Sequence, residues 1–231
     1  MGDLSRGRLR EIANVFLVMG LVNKNYNFDD FIYKYNGDNS KKIYLNQEEV
    51  KWIKQHQNLS YGGSNWAPIH NYTVSGQSEG IAEDILKLIS KKINLNMQYQ
   101  KQDTWEKALK KIENKTLDIG LATSSSKEKK GYGLFTKSYV AFPLVIVTKN
   151  DVSYISATSE LNNKIVAVGK NFTAHDFLRE NYPNVKILPL KDSDAALEAV
   201  SNNSAFAMVE ILPVAAYKIR KLNYNDLNDL L

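Results

Sequence analysis

From Asn58 onward the chain repeats one unit: a short apolar run, a turn, then ten to fourteen residues with apolar positions at helical spacing. Strands separated by helices of that length cannot pair as hairpins, so the pattern predicts parallel sheets with helices on their faces. The apolar runs are NLSYGG, NMQYQ, LDIGLA, KIVAVG, VKILPL and AFAMV. Between them lie GIAEDILKLISKKI, DTWEKALKKIENK, TAHDFLRENY and DSDAALEAVSNN, and ILPVAAYKIRKL closes the series. In the first of these helices Ile81, Ile85, Leu88 and Ile89 form the expected inward stripe, with Lys91 and Lys92 at the dipole's negative end. Asp103 is expected to open the second, with Glu106 three residues later at capping-box spacing. The alternation breaks once: residues 139 to 147 reach the next strand without a helix. An α/β architecture of two lobes joined by an extended crossover follows. Ligands of open parallel sheets bind beyond the carboxyl ends of the strands, so both lobes would turn that edge toward a shared cleft.

Ahead of the repeat, RLREIANVFLVM places Ile12, Val15, Phe16 and Met19 on one helical face, with Gly20 as a stop. The polar stretch NGDNSKK reads as a linker, which puts a boundary near residue 40. NQEEVKWIKQH then reads as a short helix capped by Asn46, with Val50 and Ile53 inward and Trp52 packing, as Trp105 does in its own helix.

Composition removes several function classes. The net charge is +5, but the lysines are scattered, without the basic stripe and interleaved aromatics of a nucleic-acid surface. There are no cysteines, hence no disulfides, no thiolate chemistry and no cysteine-bound zinc. The three histidines, His56, His70 and His175, are far apart in sequence and suggest no metal or cofactor site. No stretch approaches the roughly 20 apolar residues that span a bilayer.

The residues after the strands carry what chemistry there is. They are Ser64-Asn65-Trp66-Ala67-Pro68, Thr123-Ser124-Ser125-Ser126, Lys170-Asn171-Phe172-Thr173 and Glu210-Ile211. The set is hydroxyl-rich, is backed by an aromatic and offers amides at a helix start, where an anionic group is welcome. It holds no nucleophile paired with a base, so the cleft reads as built to bind rather than to catalyse. Each member also has a plain structural reading. Trp66, set among glycines and a proline in YGGSNWAPIH, either plugs a core edge or waits for a ligand. TSSS is equally a solvated turn, Thr173 an N-cap, and KEKK (127 to 130) a solvated charge run.

With these residues in view, the span from about 43 to 231 resembles the bacterial periplasmic solute-binding proteins of family 3. More narrowly, it is similar to the form used as the periplasmic sensor of membrane histidine kinases and cyclic-di-GMP enzymes. The matching stretches include NQEEVKWIKQHQNLSYGGSNWAPI, GIAEDILKLISKKINL, LDIGLATSSSKEKK, LNNKIVAVGKNFTAHDFL and AFAMVEILPVAAYKI. The resemblance implies a Venus flytrap of periplasmic-binding-protein type II. Lobe 1 would span 41–139, the hinge crossover 140–148 and lobe 2 149–215, with a return toward lobe 1 from 216 to 231. Residues 1–40 resemble the closing helices of a preceding solute-binding domain. The chain then reads as a segment of a longer tandem sensor whose lobe 1 is incomplete at Leu231.

The resemblance also implies site residues. Trp66, beside Asn65, matches the aromatic that stacks on the ligand. Ala122 and Ser124 match residues that hold its ammonium and carboxylate, and Thr173, beside Phe172, matches the lobe 2 grip on the carboxylate. Two positions depart from the family pattern. Its clamping arginine falls on Lys129, which keeps the charge and loses the planar fork. Its ammonium-pairing aspartate falls on Ile211, with Glu210 one residue earlier and facing the other side of the strand. The ligand the resemblance implies is small and polar, amino acid-like or a carboxylate, and these departures favour a small anion or a carboxylate on a flat or apolar body. The expected partners are that small molecule and a downstream signalling domain, with the membrane reached only through a parent protein anchored in it and facing the periplasm. The alternatives are the solute-binding protein of an ABC importer, acting with its permease, and a dehydratase on the same fold.

Overall fold

The computed structural model of the protein describes residues 43–228. The helix expected over 8–19, the linker near 40 and the resemblance of the first 40 residues to another domain lie outside them. Described residues from Leu45 to Asn228 belong to one compact unit, and every element named below lies in it.

Helix α1 (Gln47–Gln55) opens the unit. Asn46 caps it through a reciprocal box with Glu49, each backbone N–H bonded to the other's side chain at 2.9 and 2.7 Å. The inward face expected of it is absent: no residue of α1 is buried, Val50 and Trp52 are exposed, and Trp52 stacks on His56 at 4.2 Å. Of the expected inward pair only Ile53 is even half-buried.

The first sheet joins β1 (Asn58–Gly62), β4 (Asn96–Tyr99) and β5 (Ile119–Gly120) in the order β4-β1-β5, all parallel. A small antiparallel pair, β2 (Asn71–Tyr72) and β3 (Ser78–Glu79), precedes helix α2 (Ile81–Ile93). Gly80 takes φ 117° at this junction, and a Cβ there would meet the Ile69 carbonyl at 2.7 Å, so only glycine fits. The buried face of α2 is Ala82, Glu83 and Leu86; Leu88 and Ile89, part of the expected stripe, are exposed. A carboxylate therefore sits where the apolar rule put only leucines and isoleucines, and Tyr61 Oη (2.8 Å) and Ser78 Oγ (2.5 Å) donate to it. Helix α3 (Trp105–Glu113) starts one residue later than expected: Thr104 caps it, and Asp103 pairs with Lys107 at 2.6 Å instead.

The second sheet runs β6-β9-β7-β8. Its strands are β6 (Leu144–Val147), β7 (Ile165–Gly169), β8 (Lys186–Leu190) and β9 (Ala207–Ile211). β7 pairs in parallel with β8 and β9, and β6, coming straight from the crossover, pairs antiparallel with β9. Helices α4 (Thr173–Asn181), α5 (Ser193–Ser201) and α6 (Leu212–Lys221) flank it, with buried apolar clusters on both faces. α6 stays with this sheet, contributing Ala215 and Ile219 to one of those clusters. Beyond it, Leu227 forms a bridge with Lys149 beside the crossover. Two lobes of parallel-rich sheet and helix result, as the repeat predicted.

The two lobes share part of a core. The cluster built on Tyr61, Ile69, Leu86 and Trp105 of the first lobe also takes in Phe172, Ile211 and Val214 from the second.

Candidate functional site

The loops after β1, β5 and β7 converge where the lobes meet. Trp66 follows β1 in a turn closed by two backbone bonds with His70 (2.8 and 3.3 Å) and holding a cis Ala67–Pro68 peptide. The indole is 9% exposed and lies edge-on against Phe172 of the second lobe, with ring centroids 5.6 Å apart. Phe172 reaches it because Gly169 leaves room: a Cβ there would lie 2.7 Å from the phenyl ring. Trp66 Nε1 and Asn65 Oδ1 are buried without a hydrogen-bond partner among the described residues, a donor and an acceptor left over at the lobe boundary.

After β5, Ala122 takes φ 56°, a left-handed conformation that disfavours residues with a Cβ. Two residues on, Ser124 Oγ donates to Thr173 Oγ1 across the lobes at 3.0 Å. Thr173 is the first residue of α4 and not its cap; Phe172 holds the cap position and makes no side-chain hydrogen bond there.

Lys129 differs most from a solvated charge run. It is 3% exposed, and its ammonium lies 2.8 Å from the Asp176 carboxylate of α4, itself almost fully buried. Burial pulls the Lys129 pKa below its usual value, and the Asp176 carboxylate opposes the fall, although the ammonium and that carboxylate oxygen make no hydrogen bond of good geometry. Arg179 joins Asp176 (3.0 Å) and reaches back to Glu128 of the first lobe (2.9 Å), while Lys170 of the second lobe meets Glu106 of the first at 3.0 Å. Three ion pairs thus cross between the lobes.

Glu210 is fully buried in β9, where it accepts from Ser193 Oγ at 2.5 Å and from the Ile211 N–H at 2.8 Å. Burial raises its pKa; the two donors, and the nearby Trp66 indole N–H, which makes no hydrogen bond of good geometry, pull the other way. Its oxygens serve lobe 2 and line none of the cavities around the cleft.

The space left between the lobes is divided. Directly between Trp66, Trp105, Leu121 and Phe172 it is about 10 Å³, room for about one water. Beside it lies a hollow of about 400 Å³, lined by Trp66, Ala122, Ser124, Thr173 and Ile211 and walled by residues 135–142. A third space, of about 560 Å³, lies along the apolar side of α2, α3 and β5. The structure thus brings Trp66, Ala122, Ser124 and Thr173 around one hollow, sets Phe172 against Trp66, and leaves Asn65, Lys129 and Glu210 off its walls.

His70 carried no claim from sequence, yet it lines the small space. Its Nδ1 meets the Ser64 carbonyl at 2.8 Å and its Nε2 meets Ser78 Oγ at 3.1 Å. Burial lowers its pKa. The only signal for it was its place at the end of the Trp66 turn. Among the described residues there is no cluster of potential metal ligands, and no helix long and apolar enough to cross a membrane.

Comparison with known proteins agrees with this fold. A 174-residue stretch is 25% identical to the virulence sensor protein BvgS of Bordetella pertussis, covering 75% of this chain and 14% of that protein. A 189-residue stretch is 25% identical to the sensor protein EvgS of Escherichia coli K12, covering 81% and 16%. The chain thus spans about a seventh of the length of these relatives. The crystal structure of the BvgS periplasmic VFT2 domain superposes with a TM-score of 0.72 at 24% identity, over 80% of each chain. The arginine-bound, truncated ArgBP of T. maritima gives 0.64 at 23%, over 77% and 84%. The model of the bacterial extracellular solute-binding proteins, family 3, matches residues 59–221, and the chain belongs to that family.

Proposed function

We propose that residues 45–228 form an extracytoplasmic sensor domain whose two lobes close on a small polar molecule. The parent protein would pass closure on to a membrane-bound kinase or cyclic-di-GMP enzyme. One observation carries the reading: Trp66 and Ser124 of one lobe and Thr173 of the other line one hollow of small-molecule size, and Phe172 meets Trp66 beside it. The likeness to two sensor proteins supports the signalling half. The lack of a nucleophile–base pair on the cleft loops speaks for binding over turnover.

A ligand can shift the lobes only by binding one arrangement better than the other. It would then raise the unfolding free energy by about 2.7 kcal/mol at a hundred times its Kd. The test is thermal unfolding against amino acids, small carboxylates and their amides. The reading expects a compound that raises the Tm of the wild type and of Trp52→Ala but not of Trp66→Ala. A compound that stabilises all three alike would place binding elsewhere and end the reading.

A further inference from the structure

Lys129 is the one cation among the predicted site residues, and the protein itself has taken it up. Its ammonium is sealed between the lobes at 3% exposure, and the group facing it, 2.8 Å away, is the Asp176 carboxylate of the opposite lobe. Asp176 sits on α4 one turn after Thr173, which lines the hollow. It lies in the first turn of a helix whose cap makes no side-chain bond, so it answers the positive end of α4 as well as Lys129. Arg179, the other cation nearby, is bonded to Asp176 and Glu128. The hollow has no carboxylate on its walls, where Ile211 stands and Glu210 is bonded inside its own lobe, and Lys129 is not among its lining residues. Its lining is aromatic, hydroxylic and aliphatic, and its one charged side chain is Lys137 of lobe 1.

We propose that Asp176 determines specificity by occupying Lys129 as a built-in carboxylate, so that a ligand carboxylate is refused at this position between the lobes. The proposal departs from the expectation of an anionic ligand. That expectation needed Lys129 to be free, and burying a second carboxylate beside a cation already paired leaves one charge unanswered. It rests on the cleft being the ligand site. The test below reads the Lys129 position directly, so a ligand panel that failed would sink the sensor reading and leave this result standing.

The test uses the full chain and two probes of the same shape, acetate and acetamide, compared by Tm at equal ionic strength. In the wild type, acetate stabilises no more than acetamide. Asp176→Ala opens a carboxylate-sized space at Lys129, and acetate then raises its Tm by several degrees over acetamide. Adding Lys129→Met abolishes that preference, which separates Lys129 from Arg179. If Asp176→Ala does not fold, the comparison is made on Asp176→Asn, which keeps the shape and removes the charge. A wild type that prefers acetate, a folded Asp176 variant that does not, or a preference that survives Lys129→Met would each overturn the proposal.

Discussion

Glu210 shows how far a single residue can depart from its sequence reading. Strand alternation set it on the side of β9 away from Ile211, and its carboxylate is spent on Ser193 Oγ and the Ile211 N–H. Burial holds its folded pKa above the unfolded value of about 4.3. The native state then binds more protons than the unfolded state between those two values, so this group's contribution to stability falls as pH rises through that window. Glu210→Gln keeps an acceptor for the Ile211 N–H and removes the buried charge. It is expected to raise Tm at pH 7 by more than at pH 4, read from melting curves of both proteins across that range. A difference that stays constant with pH would contradict the assignment. Lys129 was legible only as charge: within SKEKK nothing marks one lysine as buried, because its partner lies 47 positions away on another lobe. Trp66 was legible because a tryptophan among Gly62, Gly63 and Pro68 is out of place on an irregular surface.

At the scale of elements, periodicity located most helices and strands and misjudged which way two of the helices face. In α2 the 3.6-residue pattern allowed two overlapping stripes, and the one with more isoleucines was not the one that packs. The buried one includes Glu83, which hydropathy counts against it until Tyr61 and Ser78 are seen to satisfy the carboxylate. Leu86→Ala is therefore expected to cost about 2–5 kcal/mol, and Leu88→Ala, two residues away and 46% exposed, less than about 0.5 kcal/mol. Denaturant titration of the pair decides it, and equal losses would restore the other stripe. In α1 the cap was legible from NQEE alone, while the failure of its apolar face to become buried was not. Asn46→Ala should cost that helix about 1 kcal/mol, seen as faster amide exchange within Gln47–Gln55. Global Tm should hold nearly constant, since α1 buries no side chain. A fall in Tm as large as that of Leu86→Ala would mean that α1 is part of the core.

For the whole unit, the two-lobed plan was the most legible feature, because one missing helix in a regular alternation can only mean a crossover. The contacts that hold the lobes together were not, since each joins residues distant in sequence. They also differ in worth. The Glu106–Lys170 and Glu128–Arg179 pairs are each more than a third exposed, the class of pair worth about 0–1 kcal/mol and screened by salt. Lys129–Asp176 is buried, and losing one partner strands a charge. Glu106→Gln with Glu128→Gln should thus leave the lobes together where Asp176→Ala lets them part. The chain has no cysteine, so spin labels at Lys115→Cys and Lys191→Cys, one exposed position per lobe, report that distance without background. Parting in the first variant and not in the second would reverse the ranking.

The central claim is that the molecule's ligand meets Trp66 at the boundary of the two lobes. The chain's three tryptophans allow it to be tested in one spectrum, because Trp52, Trp66 and Trp105 each give an indole N–H resonance. Trp52 lies on exposed α1, while Trp66 leaves its buried Nε1 without a hydrogen-bond partner among the described residues. On titration with a compound that calorimetry shows to bind, the Trp66 indole resonance should shift most and that of Trp52 should stay in place. Saturating binding that leaves the Trp66 resonance unmoved would contradict the claim.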